Sequence, residues 1–213
     1  MGADPDRETV VLLHGLWCNR WILAVMQRRL RVCGFAVEVF EYATMRRSPE
    51  QNAAALAERI QALAIPRLHF VAHSLGGIVV LRLLEHCARV PPGRVVLLGT
   101  PLMGSRIARR LCRHGAGRRL LGHSIDGGLL DGRTLDAQAR EVGMIAASVP
   151  VGLGVLVGGI GEPGDGVVTL AETRAPWLAD HLIVRTNHTG LLFSPEVARQ
   201  TCGFLRTGRF SHR

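Results

Sequence analysis

Lysine is absent from this chain of 213 residues, in which all 26 basic side chains are arginine. Its absence removes lysine as a general base or Schiff-base former, and it indicates a coding bias rather than selection at one site. The 17 acidic residues leave a formal net charge of +9. Such a charge is typical of nucleic-acid binders, but the compositional bias weakens that interpretation, so we expect no nucleic-acid partner.

Long apolar runs and a cysteine pattern are missing too. No stretch reaches the length of a bilayer span, and the polar N-terminal sequence MGADPDRETV has no hydrophobic signal region, so we expect a cytoplasmic protein. The cysteines are odd in number and scattered, at positions 18, 33, 87, 112 and 202. They lack metal-ligand spacing, and we interpret them as reduced, small core residues. No metal or organic cofactor is implied.

The length and the 47% hydrophobic composition predict a single domain over residues 1–213 with a substantial core. Short apolar runs alternate with helical patterns through the first half of the chain. The predicted strands cover residues 9–13, 35–40, 67–72 and 94–98, and the predicted helices cover 20–32, 50–63 and 75–87. This alternation predicts an α/β fold with a mostly parallel, twisted sheet and helices on both faces.

Residues 102–150 interrupt the alternation, and we expect them to form a lid-like insertion within the domain. The expected parts are an arginine-rich segment at 106–119, a glycine-rich loop at 122–132 and a helix at 135–147. The arginine-rich segment has two interpretations: a solvated helix face, or a peripheral contact with an anionic membrane. Strands at 151–157 and 182–186 and a closing helix from Pro195 complete the predicted fold.

The sequence RLHFVAHSLGGIVVLRLL at residues 67–84 places a serine between an apolar run and a helical pattern. This order predicts a strand, a tight turn and a helix with Ser74 at the apex, which is a nucleophile elbow. Ala72 and Gly76, two residues before and after Ser74, are small enough for such a strained turn. The similar sequence GHSIDGG has neither a buried strand before it nor a helix after it, so we interpret Ser124 as a loop serine.

A serine hydroxyl needs a base to take its proton and an acid to orient that base. In an open α/β sheet, active groups gather at the carboxyl ends of the strands. Of the nine histidines, His14, His73 and His188 lie at such ends. We expect His14 to make a structural hydrogen bond and His73 to point elsewhere on the elbow, which leaves His188 as the predicted base.

Asp165 is the predicted acid, because it follows a predicted strand in a Gly-Asp-Gly turn. Glu162 is the close competitor, and an aspartate between glycines is also common in ordinary turns. An oxyanion needs two fixed backbone donors. We expect one to be the N–H of Leu75, directly after the nucleophile. The other is the N–H of Leu16, or alternatively of Trp17, in the loop after the first strand.

Several motifs in this order resemble the lipase-like branch of the α/β-hydrolase superfamily, which includes small bacterial lipases and GPI-inositol-deacylase-like proteins. They are HGLW (14–17), AHSLGG (72–77), LGTPLMGS (98–105), GDGVV (164–168) and NHTGLL (187–192). The resemblance implies acyl-enzyme chemistry at Ser74, with Asp165 and His188 as its partners. It departs at Leu102, where family lipases often carry histidine.

The sequence therefore predicts a serine hydrolase acting on a small-molecule or lipid carboxylic ester. Leu16, Trp17, Leu102 and Met103 favour an apolar acyl chain. The same triad also serves thioesterases and acyltransferases. An alternative of a different class is a non-enzymatic ligand- or membrane-binding module on a hydrolase scaffold, although such a binder has no need of the complete Ser, Asp and His set.

Overall fold

The computed structural model describes residues 8–62, 65–132, 140–152 and 162–212. Six parallel strands form one sheet in the order β2-β1-β3-β4-β5-β6. The strands are β1 (Thr9–Leu13), β2 (Ala36–Phe40), β3 (Leu68–His73), β4 (Val95–Leu98), β5 (Val142–Ala147) and β6 (Asp180–Val184). All of them therefore point their carboxyl ends towards the same edge of the sheet.

Side chains alternate across each strand, so the apolar strands present buried side chains on both faces of the sheet, and helices cover both faces. Val11 and Leu13 of β1 belong to one buried cluster and Val10 and Leu12 to the other. The helices are α1 (Ala24–Val32), α2 (Pro49–Gln61), α3 (Leu75–His86), α4 (Arg106–Leu111), α5 (Gly115–Leu121) and α6 (Pro195–Thr207). Helices α2 and α3 pack on the first cluster, and α1 and α6 on the second. Within the described ranges no helix has the length and apolarity needed to cross a bilayer.

The second half of the chain corrects two predictions. Residues 142–147, predicted as the end of a helix, form strand β5, which pairs with β4 on one side and β6 on the other. A short apolar run such as VGMIAA has no periodicity that separates a strand from a buried helix. The predicted insertion at 102–150 thus contains a strand of the sheet. The predicted strand at 151–157 lies, from residue 153 onwards, outside the described residues.

Two of the cysteines are bonded, so the prediction that all five are reduced is wrong. Cys33, directly after α1, and Cys202 in α6 form a disulfide across 169 residues of sequence, with their Cα atoms 6.4 Å apart. The two helices pack on the same face of the sheet, which brings the sulfurs together although nothing in the linear spacing indicates it. Cys18, Cys87 and Cys112 are free.

Candidate active site

Ser74 lies at the apex of the turn from β3 to α3, as the elbow pattern predicted. Its φ of 53° and ψ of −120° are strained for a residue with a side chain. The two glycines that follow allow the close approach that this turn needs. A Cβ on Gly76 would lie 2.7 Å from the carbonyl oxygen of His14, and one on Gly77 would lie 2.0 Å from Oγ1 of Thr100. Larger residues at these positions would push the helix away from the sheet.

Asp165 and His188 meet at the same edge of the sheet, although 23 residues separate them in sequence. Nδ1 of His188 lies 2.7 Å from Oδ2 of Asp165, and both side chains are buried. The other oxygen, Oδ1, accepts the backbone N–H groups of Val167 and Val168 at 2.8 and 2.7 Å. The carboxylate is thus held by charge-assisted hydrogen bonds on both oxygens. Glu162, the competing acid, instead forms an ion pair with Arg106.

Ser74 and His188 line one cavity of about 260 Å³. Its wall is mainly apolar, and much of it comes from the segment between β4 and β5: Ile107, Ala108, Leu111, Leu121 and Leu129. The segment predicted as an insertion therefore borders the site. Leu16 and Trp17 also line the cavity, whereas Leu102 is buried and Met103 exposed, and neither of these two belongs to the cavity wall.

The loop after β1 passes directly against the elbow, because a Cβ on Gly15 would lie 3.2 Å from Cβ of Ser74. Among the described residues, the backbone amides of Leu16, Trp17 and Leu75 donate to no protein acceptor. Unpaired amides of this kind are available to an oxyanion. The strained φ of 59° at Trp17 shows how sharply this loop turns. Leu16 and Trp17 both remain candidates for the second donor.

The two other histidines at strand ends have structural contacts. His14 is fully buried, with Nδ1 3.0 Å from the carbonyl oxygen of Gly15, which agrees with the predicted structural hydrogen bond. The hydroxyl of Tyr42 donates to the carbonyl oxygen of His14 at 2.6 Å, and burial raises the pKa of Tyr42 well above its usual value, so this donor stays protonated. His73 contacts the main chain of His188, which no local pattern indicates.

Sequence reasoning missed two residues that support the site. Thr100, just beyond β4, donates its hydroxyl to the carbonyl oxygen of Ser74 at 3.1 Å. Glu172 is buried, and its carboxylate accepts the N–H of Arg106 at 2.5 Å and that of Thr169 at 2.7 Å. It thereby joins α4 to the turn that holds Asp165. The sequence TLAE at 169–172 carries the capping-box pattern that could have identified Glu172.

Ser124, the serine of the similar sequence GHSIDGG, lies in a different environment from Ser74. Ser124 is buried in the short 3-10 helix Gly122–Ile125 and donates its hydroxyl to the carbonyl oxygen of Leu121 at 2.7 Å. As predicted, Ser124 is not at the apex of a strand–helix turn, although it lies in a short helix and not in the predicted loop. Within the residues that the structure describes, no three His, Cys, Asp or Glu side chains are grouped so as to hold a metal ion.

Comparisons with known proteins concern the fold. A family model described as a domain of unknown function, DUF7379, matches residues 9–114. No curated protein matches the sequence. The mature form of Bacillus licheniformis lipase BlEst2 is 20% identical with a TM-score of 0.76, over 97% of this chain and 94% of that one.

Two further solved structures are similar. The ydeN gene product of B. subtilis is 17% identical over 94% of this chain and 100% of its own, with a TM-score of 0.66. A structure from work on carboxylesterases of the thaumarchaeon Nitrososphaera gargenis is 15% identical over 97% and 93%, with a TM-score of 0.69. Likeness at these identities shows the fold alone, and the chain has the α/β-hydrolase fold that its motifs predicted.

Proposed function

We propose that this protein is a serine hydrolase that cleaves carboxylic esters through an acyl-enzyme at Ser74. The observation that carries the proposal is the buried Asp165–His188 pair, joined at 2.7 Å beside the cavity that Ser74 lines. The lipase and the carboxylesterase among the similar structures support the same class of chemistry at a general level.

In the first half of the reaction, the Asp165 carboxylate accepts a hydrogen bond from Nδ1–H of His188, which leaves Nε2 unprotonated as the base. Nε2 takes the proton of the Ser74 hydroxyl while the Ser74 oxygen forms a bond to the carbonyl carbon of the ester. The amide of Leu75, together with that of Leu16 or alternatively Trp17, stabilises the resulting oxyanion. The intermediate then collapses, the bond to the alcohol oxygen breaks, and His188 returns the proton to that oxygen.

In the second half, a water molecule attacks the acyl carbon as His188 takes one of its protons. Collapse of this second intermediate breaks the bond to Ser74, and the proton on His188 passes to the serine oxygen. The carboxylic acid leaves and the enzyme is restored. The apolar cavity wall formed by Ile107, Leu111 and Leu121 would receive the acyl chain, which supports a substrate with an apolar acyl group.

A fluorophosphonate probe tests this proposal, because it reacts only with an activated serine. Mass mapping should find the label on the Ser74 peptide, and Ser74→Ala should abolish both labelling and hydrolysis of p-nitrophenyl esters. Ser124→Ala is the matched control, which should keep both. Labelling that persists in Ser74→Ala would contradict the proposal. If the label is on Ser74, a comparison of matched ester and thioester substrates would separate an esterase from a thioesterase with the same triad.

The segment at 106–119 supports a second proposal, peripheral contact with an anionic lipid surface. Arg113, Arg118 and Arg119 are exposed on or beside α4 and α5. Two exposed apolar side chains, Trp17 and Leu120, adjoin them, since Nε1 of Trp17 donates to the carbonyl oxygen of Leu120 at 3.0 Å. Basic residues near such a surface contribute roughly 1 kcal/mol each.

Sedimentation with lipid vesicles tests this contact. Vesicles containing phosphatidylglycerol should bind the protein at low salt, whereas phosphatidylcholine vesicles should not. Changing Arg113, Arg118 and Arg119 together to glutamine should weaken the binding by about 100-fold, because three such contributions sum to roughly 3 kcal/mol. Equal binding to both kinds of vesicle, or no effect of the triple change, would leave the solvated-face interpretation.

A further inference from the structure

His73 is a buried histidine for which the mechanism above has no role. It is the last residue of β3, directly before Ser74, and only 4% of it is exposed. Its Nε2 lies 3.1 Å from the carbonyl oxygen of His188. A carbonyl oxygen can only accept, so Nε2 carries the proton and Nδ1 does not. Among the described residues Nδ1 has no hydrogen-bond partner.

Hydrogen bonds with Asp165 and His73 hold His188, and the one from His73 comes from the nucleophile side. The backbone N–H of His188 donates to the carbonyl oxygen of Asp165 at 3.3 Å, and its Nδ1 lies 2.7 Å from the carboxylate of the same residue. Both of these contacts fix His188 to the turn that carries Asp165. The bond from His73 fixes its main chain to the strand that carries Ser74, so it sets the position of the base relative to the nucleophile.

The ring of His73 also borders the loop of the expected oxyanion donors. A Cβ on Gly15 would lie 3.0 Å from Nδ1 of His73. The rings of His73 and His188 have centroids 4.6 Å apart and are tilted by 47°. One side chain therefore contacts the elements that carry the nucleophile, the base and the oxyanion loop.

We propose that His73 is a positioning residue, whose Nε2–H bond to the carbonyl oxygen of His188 holds the base at the distance and angle that proton transfer from Ser74 requires. This proposal deepens, and rests on, the proposed ester-hydrolase function. Geometry of this kind matters because a misplacement of about 1 Å at a reacting group can cost about 100-fold in rate.

Charge explains why a neutral donor is needed at this position. Burial is the main reason that the pKa of His73 lies well below its usual value. The adjacent His188 lowers this pKa further, and so does His14. His73 therefore stays neutral while His188 becomes an imidazolium during turnover. A second positive charge at a ring separation of 4.6 Å would oppose that step.

Two substitutions separate the hydrogen bond from the packing. His73→Phe keeps a ring but loses the donor, whereas His73→Gln keeps a neutral N–H donor of similar reach. We expect His73→Phe to lower kcat for p-nitrophenyl esters by about 10- to 100-fold with KM changed by less than about 2-fold, and His73→Gln to recover most of kcat. His73→Leu replaces the phenylalanine variant if that variant does not fold.

His69→Gln is the matched control, since His69 is fully buried in the same strand but distant from its carboxyl end. We expect that variant to keep kcat within about 2-fold of the original protein. The proton that His188 shares with Asp165 provides a readout that does not depend on turnover. Its low-field NMR signal should be present in the original protein and in His73→Gln, and broadened or lost in His73→Phe.

The outcomes are distinct. The positioning role would be overturned if His73→Phe kept the kcat and the NMR signal of the unaltered protein. It would also be overturned if His73→Gln were as impaired as His73→Phe. If the unaltered protein neither hydrolyses esters nor reacts with the fluorophosphonate, the ester-hydrolase proposal fails. The NMR comparison then decides the role of His73 by itself.

Discussion

Removing the Cys33–Cys202 disulfide should lower the stability of the fold by several kcal/mol. Cys33→Ser is the suitable change, because Cys33 is partly exposed and the remaining Cys202 can stay buried as a small apolar thiol. The bond closes a loop of 169 residues. The chain-entropy relation gives about 5 kcal/mol for a loop of that length, and native disulfides typically contribute about 2–5 kcal/mol.

That free energy translates into a measurable shift in the melting temperature. At about 2.1 cal/mol/K per residue, the unfolding entropy of the chain is roughly 0.45 kcal/mol/K. A loss of about 2–5 kcal/mol therefore lowers the midpoint by about 4–11 °C. Circular dichroism of protein oxidised in a glutathione buffer, with and without reductant, would measure this shift. Cys87→Ser, at a free cysteine, is the control and should leave the reductant effect intact.

Thiol titration of the denatured protein provides an independent check. Oxidised protein should show three reactive thiols, those of Cys18, Cys87 and Cys112. Titration of all five cysteines of the sequence, or an unchanged midpoint in Cys33→Ser, would refute the argument.

Three other predictions concern the acid, the elbow and the pH dependence of stability. Asp165→Asn should lower kcat by about 10⁴-fold in ester hydrolysis with little change in KM, because an amide cannot hold the base in the required tautomer. Gly77→Ala places a methyl group 2.0 Å from a threonine hydroxyl and should cost about 1–3 kcal/mol in urea unfolding. Gly203→Ala, in α6 with nothing within 4 Å, should instead stabilise by up to about 1 kcal/mol. The pKa of His73 is lower in the folded than in the unfolded chain, so the unfolded state binds the additional proton on acidification. The free energy of unfolding should therefore decrease as the pH drops below the usual histidine pKa, and this decrease should be smaller in His73→Gln. Urea midpoints measured across this pH range would check both expectations.

The first half of the fold could be predicted closely from the sequence, because its strands are apolar runs bounded by clear breaks. Strand β1 was predicted at its observed bounds, Thr9–Leu13, and β3 and β4 begin or end within one residue of the prediction. The rule that active groups gather at strand ends selected Asp165 and His188, which the structure brings together.

Three-dimensional packing explains what the sequence did not reveal. Strand β5 is defined by its neighbours β4 and β6, and its six residues alone are equally compatible with a buried helix. The disulfide depends on two helices meeting on one face of the sheet. The contact of His73 with His188 spans 115 residues and has no local pattern. The role of Glu172, by contrast, had a local signal in its capping box.

The disulfide also divides the chain into a closed part and an open part. Ser74, Asp165 and His188 all lie within the loop that it closes, whereas β1 and the Leu16 loop lie outside. A single proteolytic cut anywhere between these two cysteines would leave the three residues of the proposed triad covalently linked in one molecule. A cut between the loop that follows β1 and Cys33 would instead detach a peptide carrying one expected oxyanion donor. Only noncovalent contacts, chiefly the pairing of β1 with β2 and β3, would retain that peptide.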